Sequence, residues 1–145
     1  MSRYFYAVIA LFVSFTLITQ SVKATELTET EVTAYIIKEI NAYRASLKLK
    51  PVRTSDETCN FAKIRAAEIA TNFSHEAFNR RVKAGTLPYK HWHVITENIA
   101  MTSDYRDVEK MWEHSPGHAK NMRDNTLYVC VVRHGKYFAY LGVTP

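Results

Sequence analysis

The sequence predicts an α+β domain in which helices cover both faces of a small antiparallel sheet. Two observations carry this prediction. Apolar residues recur at helical spacing through residues 28–83, and two runs rich in β-branched and aromatic residues follow at 127–132 and 137–143. The chain has 145 residues and 47% hydrophobic content, which is the size and composition of one globular domain.

The first 24 residues have the pattern of a secretory signal peptide. Arg3 provides a positive start, residues 4–18 are almost all apolar, and Val22 and Ala24 are small residues at the two positions that signal peptidase reads. The apolar run is shorter than the roughly 20 residues of a membrane span, although an uncleaved N-terminal anchor is the alternative. We therefore expect a secreted or periplasmic domain over residues 25–145, which is not an integral membrane protein once the signal is removed.

Two amphipathic helices are predicted first. In the helix over residues 28–47, Thr28 and Glu31 have the spacing of a capping box, and Pro51 follows its end. A second helix begins near Thr54. Its inner stripe consists of apolar residues at helical spacing, namely Cys59, Ala62, Ala66, Ile69 and Phe73.

The middle of the chain predicts shorter elements. A third helix over residues 76–83 ends at Gly85, the residue that adopts a left-handed cap most easily. A loop then leads to a short strand near Val94, and a fourth helix begins at Thr102 or Ser103.

The C-terminal part predicts a β-hairpin. The runs at 127–132 and 137–143 flank the turn signal His134-Gly135. Because the first run is almost entirely apolar, we expect that strand to be buried on both faces.

Cys59 and Cys130 are the only cysteines. In an exported protein a lone pair is best interpreted as one disulfide. Such a long loop would contribute on the order of 4 kcal/mol to stability in the chain-entropy model. The alternative is two separate buried thiols that behave as small hydrophobic residues.

The charge distribution argues against nucleic-acid binding. The formal net charge is +5, and removing Arg3 and Lys23 with the signal segment lowers it to +3. The remaining basic residues are scattered, with no block of five or more like charges. Mild attraction to anionic cell surfaces would be unspecific.

The order and spacing of several short motifs resemble the secreted CAP superfamily, which includes cysteine-rich secretory proteins, antigen 5 and plant pathogenesis-related proteins. The likeness is closest to its compact bacterial branch. The resemblance implies an α-β-α sandwich with a surface cleft that is lined by histidines and glutamates and can hold a divalent cation. The motifs that carry it are 40–44 (INAYR), 49–52 (LKPV), 73–75 (FSH), 97–100 (ENIA), Trp112 and 115–118 (SPGH).

The resemblance assigns the cleft to His75, Glu97 and His118. Neutral imidazoles and a carboxylate are suitable ligands for zinc or a similar divalent metal, and three protein ligands leave a position open for water or substrate. The alternative is a hydrogen-bonded polar cluster that organises the cleft without a metal. We expect Asn98, beside Glu97, to bond to the backbone and hold the turn that orients the carboxylate.

Three further residues could extend this site. His91 and His93 would share one face of a strand, which is good chelate geometry, but histidines in a polar loop are more often solvated. Ser115 stands where eukaryotic members have a second glutamate. Its spacing to His118 would allow a nucleophile and its base, although a serine before a proline is a common helix start.

Three functions follow as hypotheses. The favoured one is an exported protein that binds a small-molecule, lipid or envelope ligand in the cleft, with a divalent metal such as zinc as a candidate cofactor. The second is a hydrolase of an envelope or extracellular substrate, in which Glu97 or a histidine activates water with or without a metal. The third is an interaction module with a vestigial cleft.

Overall fold

The computed structural model describes residues 26–145, so the predicted signal segment at residues 1–24 lies outside the described residues. None of the helices in the described part is long and apolar enough to cross a membrane. The helices are α1 (Glu29–Ser46), α2 (Asp56–Thr71), α3 (Glu76–Ala84), α4 (Val108–Glu113) and α5 (Pro116–Arg123). The strands are β1 (Val94–Met101), β2 (Tyr128–His134) and β3 (Tyr137–Thr144).

The three strands form one antiparallel sheet in the order β1-β3-β2. The predicted hairpin is present, with Gly135 at a φ of +60° in its turn. The expectation that its first strand, over residues 127–132, is buried on both faces is wrong in part. Because β2 lies at the sheet edge, only Val129–Val131 is buried, whereas the central strand is buried from Phe138 to Val143.

Helices cover both faces of the sheet, which confirms the predicted α+β architecture. One core joins the first face to α1 and α4, with Ile36, Ile40 and Trp112 fully buried against alternate residues of β2 and β3. The other core joins the second face to α2 through Phe61 and Ile69. The cleft described below lies at the free edge of β1.

Two predicted helix ends differ from the structure. The cap of α2 is Ser55, whose hydroxyl accepts the N–H of Thr58, and not Thr54. Because α2 ends at Thr71, Phe73 does not continue its inner stripe; it is 44% exposed and packs against Tyr137. The fourth helix begins later than predicted, after a 3-10 turn at Tyr105–Asp107 that Asp104 caps.

The predicted disulfide is confirmed. Cys59 on α2 and Cys130 on β2 are bonded, and no free thiol is present in residues 26–145. The alternative of two separate thiols is therefore wrong. The bond joins α2 to the face of the sheet that it covers.

Candidate functional site

A surface cleft of about 510 Å³ lies along the free edge of β1. The start of α3 forms one side of it and the start of α5 the other. Its lining combines two imidazoles, one carboxylate, other polar groups and two apolar side chains. The lining residues are His75, Phe78, Asn79, Ile95, Thr96, Glu97, Ser115, Gly117, His118, Lys120 and Asn121.

Glu97 lies at the bottom of the cleft and is held by a buried arginine. Side chains alternate along a strand, so Glu97 and Ile99 point to the face that α2 covers. There Arg65 donates from Nε to Oε2 of Glu97 at 2.5 Å and from Nη2 to Oε1 at 3.3 Å. Both side chains are 1% exposed, so the pair is almost fully removed from water.

The ion pair continues away from the cleft through a second carboxylate. Arg65 donates from Nη1 to Glu68, and Arg81 of α3 donates to both oxygens of Glu68. Burial would raise the pKa of Glu68, but the hydrogen bonds from the two arginines outweigh it and lower the pKa. Alternating charges therefore connect α3, α2 and β1 behind the cleft.

His75 faces Glu97 from the start of α3. Its Nδ1 lies 2.8 Å from Oε1 of Glu97. A carboxylate with this contact favours the tautomer that carries its proton on Nδ1, because that nitrogen then donates the hydrogen bond. The other ring nitrogen, Nε2, remains a lone-pair donor on a side chain that is 41% exposed.

His118 approaches the same cleft from α5. The centres of its ring and the His75 ring are 6.0 Å apart. Burial lowers the pKa of His118, and the nearby His75 lowers it further. His118 is therefore a neutral imidazole at pH 7, which is the form that binds metals and accepts protons.

Two asparagines fix α5 against β1. Asn98 donates to the backbone carbonyl of His118 at 3.0 Å, and Asn121 donates to Oδ1 of Asn98 at 2.8 Å and to the carbonyl of Glu97 at 3.0 Å. Asn98 is fully buried on a strand, not in a turn as the sequence suggested. Its amide links the Glu97 segment to the His118 segment.

The remaining predicted residues lie in different surroundings. Ser115 lines the cleft and is the cap residue of α5, but its side chain makes no capping hydrogen bond. His93 and His91 are exposed before β1 and do not line the cleft.

The donor set fits a metal ion only in part. A ligating histidine in zinc sites commonly donates its other ring N–H to a carboxylate, which matches the contact of His75 with Glu97. Glu97 itself is poorly suited as a ligand, because the positive charge of Arg65 already lies on both of its oxygens. Within residues 26–145 no group of three or more His, Cys, Asp or Glu is arranged to hold a metal. The metal site predicted at His75, Glu97 and His118, with His93 as an extension, stays a prediction. Of these residues, His75 and His118 bring imidazoles to the cleft.

Sequence reasoning missed Arg65 and Asn121. A signal for Arg65 was present, because it lies on the helical face defined by Phe61 and Ile69. A charge at a core position requires a partner of opposite sign, and Glu97 is a buried acid on the facing strand. Asn121 carried no such signal, since an amide three residues after His118 is ordinary on a helix surface.

Comparison with known proteins agrees with this architecture. The model of the cysteine-rich secretory protein family (CAP) matches residues 37–129. No curated protein sequence is significantly similar to the chain.

Three solved bacterial structures have a similar fold. An extracellular protein containing an SCP domain from Bacillus anthracis str. Ames is 21% identical, with a TM-score of 0.70, over 84% of this chain and 45% of its own. A cysteine-rich secretory protein from Staphylococcus aureus subsp. aureus Mu50 is 13% identical, with a TM-score of 0.68, over 81% and 40%. An outer surface protein from Borrelia burgdorferi is 19% identical, with a TM-score of 0.70, over 81% and 96%. The chain thus spans less than half the length of the first two proteins.

Proposed function

The chain belongs to the cysteine-rich secretory protein (CAP) family, and on that premise we propose that it is an extracellular protein whose cleft binds a ligand through His75 and His118. One observation carries the proposal: two imidazoles from separate helices face one cleft above a buried carboxylate. Export is supported by the disulfide, by the signal-like segment, and by the names of the bacterial neighbours, which describe secretory, extracellular or outer-surface proteins.

The lining of the cleft fits an amphiphilic ligand, such as a lipid or an envelope fragment. Phe78 and Ile95 provide apolar contact, while Asn79 and Lys120 offer polar groups at the same cleft. The imidazoles would bind the polar end of the ligand. A zinc ion held by both imidazoles would act there as a Lewis acid toward an oxygen of the ligand.

Hydrolysis is the second candidate function, and His118 favours it. Its lowered pKa leaves it neutral and able to accept a proton from water at pH 7. Glu97 is less suited to that role, because Arg65 and His75 occupy both of its oxygens. If neither binding nor turnover can be measured, the interaction module with a vestigial cleft is the remaining function.

Zinc titration by calorimetry at pH 7.5 tests the metal part of the proposal. We expect one saturable site that is lost in both His75→Ala and His118→Ala. His114→Ala is the matched control, since His114 is exposed and its Nδ1 bonds to the carbonyl of Lys110 on its own helix. Equal binding by all variants, or no binding by the unaltered protein, would contradict the metal site.

A fluorescent long-chain fatty acid tests the amphiphile part. Saturable binding should weaken in Ile95→Thr, which removes apolar surface from the cleft, and in His118→Ala. The control is Ile64→Thr, because Ile64 is exposed on α2 and outside the cleft. Ester hydrolysis measured on the same samples tests the second candidate function. A hydrolase requires turnover by the unaltered protein that His118→Ala abolishes. Unchanged fatty-acid binding in both cleft variants would show that the fatty acid does not bind in this cleft.

A further inference from the structure

We propose that a second cavity, built on the buried guanidinium of Arg44, binds a phosphate-type anion. The cavity has a volume of about 550 Å³. It lies between the end of α1, the segment that follows α1, the segment that precedes β2, and the last residue of β3. In the part of the chain that the structure describes, it shares no lining residue with the histidine cleft. Its lining residues are Arg44, Lys50, Pro51, Arg53, Asn125, Thr126, Leu127 and Thr144.

Arg44 is a buried cation with unused donors. It is 3% exposed, and it donates from Nε to the carbonyl of Lys50 and from Nη1 to the carbonyls of Met122 and Asp124, at 2.7–2.9 Å. A guanidinium has five N–H donors, so these bonds leave both donors on Nη2 without a protein acceptor among the described residues. Burial lowers the pKa of Arg44, yet a guanidinium remains protonated at neutral pH.

The hydrogen-bond partners of Arg44 are neutral backbone carbonyls, and the carboxylate of Asp124 acts on its charge only from a distance. Throughout residues 26–145 no carboxylate forms an ion pair with Arg44, Lys50 or Arg53. The acidic neighbour is Asp124. Its Oδ1 accepts the N–H of Asn125, and its Oδ2 lies 3.4 Å from Nζ of Lys120 outside the cavity.

Three cations at one cavity favour an anion with more than one negative charge, such as a phosphate group. Arg44 provides a fixed pair of N–H donors, while Lys50 and Arg53 are exposed and can close on the anion from the rim. A phosphate offers oxygens in several directions, whereas a carboxylate offers two in one plane. The group could belong to a free phosphate monoester or to the headgroup of an anionic phospholipid.

Amide chemical shifts recorded during titration with inorganic phosphate at pH 7.5 test the site. We expect saturable shifts at residues 125–127 that sodium chloride at matched ionic strength does not produce. Lys50→Ala and Arg53→Ala should each weaken binding about fivefold, the effect of removing one charge near 4 Å in water. Both variants change exposed side chains and keep the buried Arg44, so we expect both to fold and weaker binding to report the lost charge.

Two control variants locate the effect. Lys90→Ala removes an exposed lysine outside this cavity, and His118→Ala alters only the other cleft; both should bind phosphate as the unaltered protein does. Weakening by His118→Ala with no change in Lys50→Ala would overturn the proposal. Shifts that sodium chloride reproduces would also overturn it.

Sedimentation with vesicles identifies the source of the phosphate group. The vesicles contain phosphatidylcholine with or without phosphatidylglycerol. Binding that requires phosphatidylglycerol and is weakened by Lys50→Ala assigns a lipid headgroup, whereas phosphate binding without vesicle binding assigns a free phosphate ester. Binding to neither probe would refute the site.

Discussion

Replacing Arg65 by methionine should destabilise the protein strongly, because it leaves Glu97 as a buried charge without a counterion. The side chains of both residues are 1% exposed, and within residues 26–145 Oε2 of Glu97 accepts a hydrogen bond from Arg65 alone. Removing one partner of such a buried pair typically costs 3–5 kcal/mol. His75 still contacts Oε1, so we expect the lower end of that range, about 3 kcal/mol.

Urea unfolding at pH 7, with the disulfide intact, measures this cost. The matched control is Arg80→Met, since Arg80 is exposed and its nitrogen is 4.0 Å from Glu76. That change should alter the free energy of unfolding by less than about 0.5 kcal/mol.

A second variant separates the lost charge from lost packing. Arg65→Met combined with Glu97→Leu removes both charges, and we expect it to recover most of the stability. A loss below about 1 kcal/mol in the single variant would refute the reasoning. A loss that is equally large in the single and the double variant would show that packing, and not an unpaired charge, sets the cost.

Three further predictions concern other parts of the molecule. Titration of the unfolded protein should find no free thiol, and reducing Cys59–Cys130 should lower the free energy of unfolding by about 4 kcal/mol, because the bond closes a loop with a sequence separation of 71. Nuclear magnetic resonance should place the pKa of His118 below 6.5, with a partial rise in His75→Gln. Since the folded state resists protonation of His118, its contribution to stability is present above pH 6.5 and is lost as the pH falls below that value. Gly142→Ala should cost roughly 1–3 kcal/mol in urea unfolding, because its new carbon would lie 2.7 Å from a threonine hydroxyl.

Each of these has a result that would contradict it. Titration of two reactive thiols would show that the disulfide is absent. A His118 pKa above 6.5 would show that neither burial nor His75 dominates its surroundings. Unchanged stability in Gly142→Ala would mean that the side chain of Thr96 moves aside without cost.

Local patterns predicted the elements of the fold well, because each depends on neighbours in sequence. The capping box at Thr28 and Glu31 is present, and Gly85 ends α3 with a φ of +64°. The order of the strands could not be read in the same way. An apolar run indicates burial but not which strand is central, and β3 occupies the centre because it pairs with both β1 and β2.

The candidate site was predictable in its residues but not in their contacts. The motifs identified His75, Glu97 and His118, and all three line one cleft. The motifs did not show that Arg65 binds the carboxylate of Glu97 on the side away from the cleft. That contact joins residues 32 positions apart and depends on the packing of α2 on the sheet. This contact is also what makes Glu97 a poor metal ligand.

The position of β3 between its neighbours has a consequence for assembly during biosynthesis. β1 and β2 form their ladders with β3 and not with each other, so neither ladder can form until the segment after Gly135 is available. Before then, β2 has only the bridge between Tyr128 and Arg53 among residues 26–145. Until then, the strand that carries Glu97 is an unpaired edge, open to wrong partners in a growing chain. We expect the newly made protein to depend on chaperone protection until β3 is available.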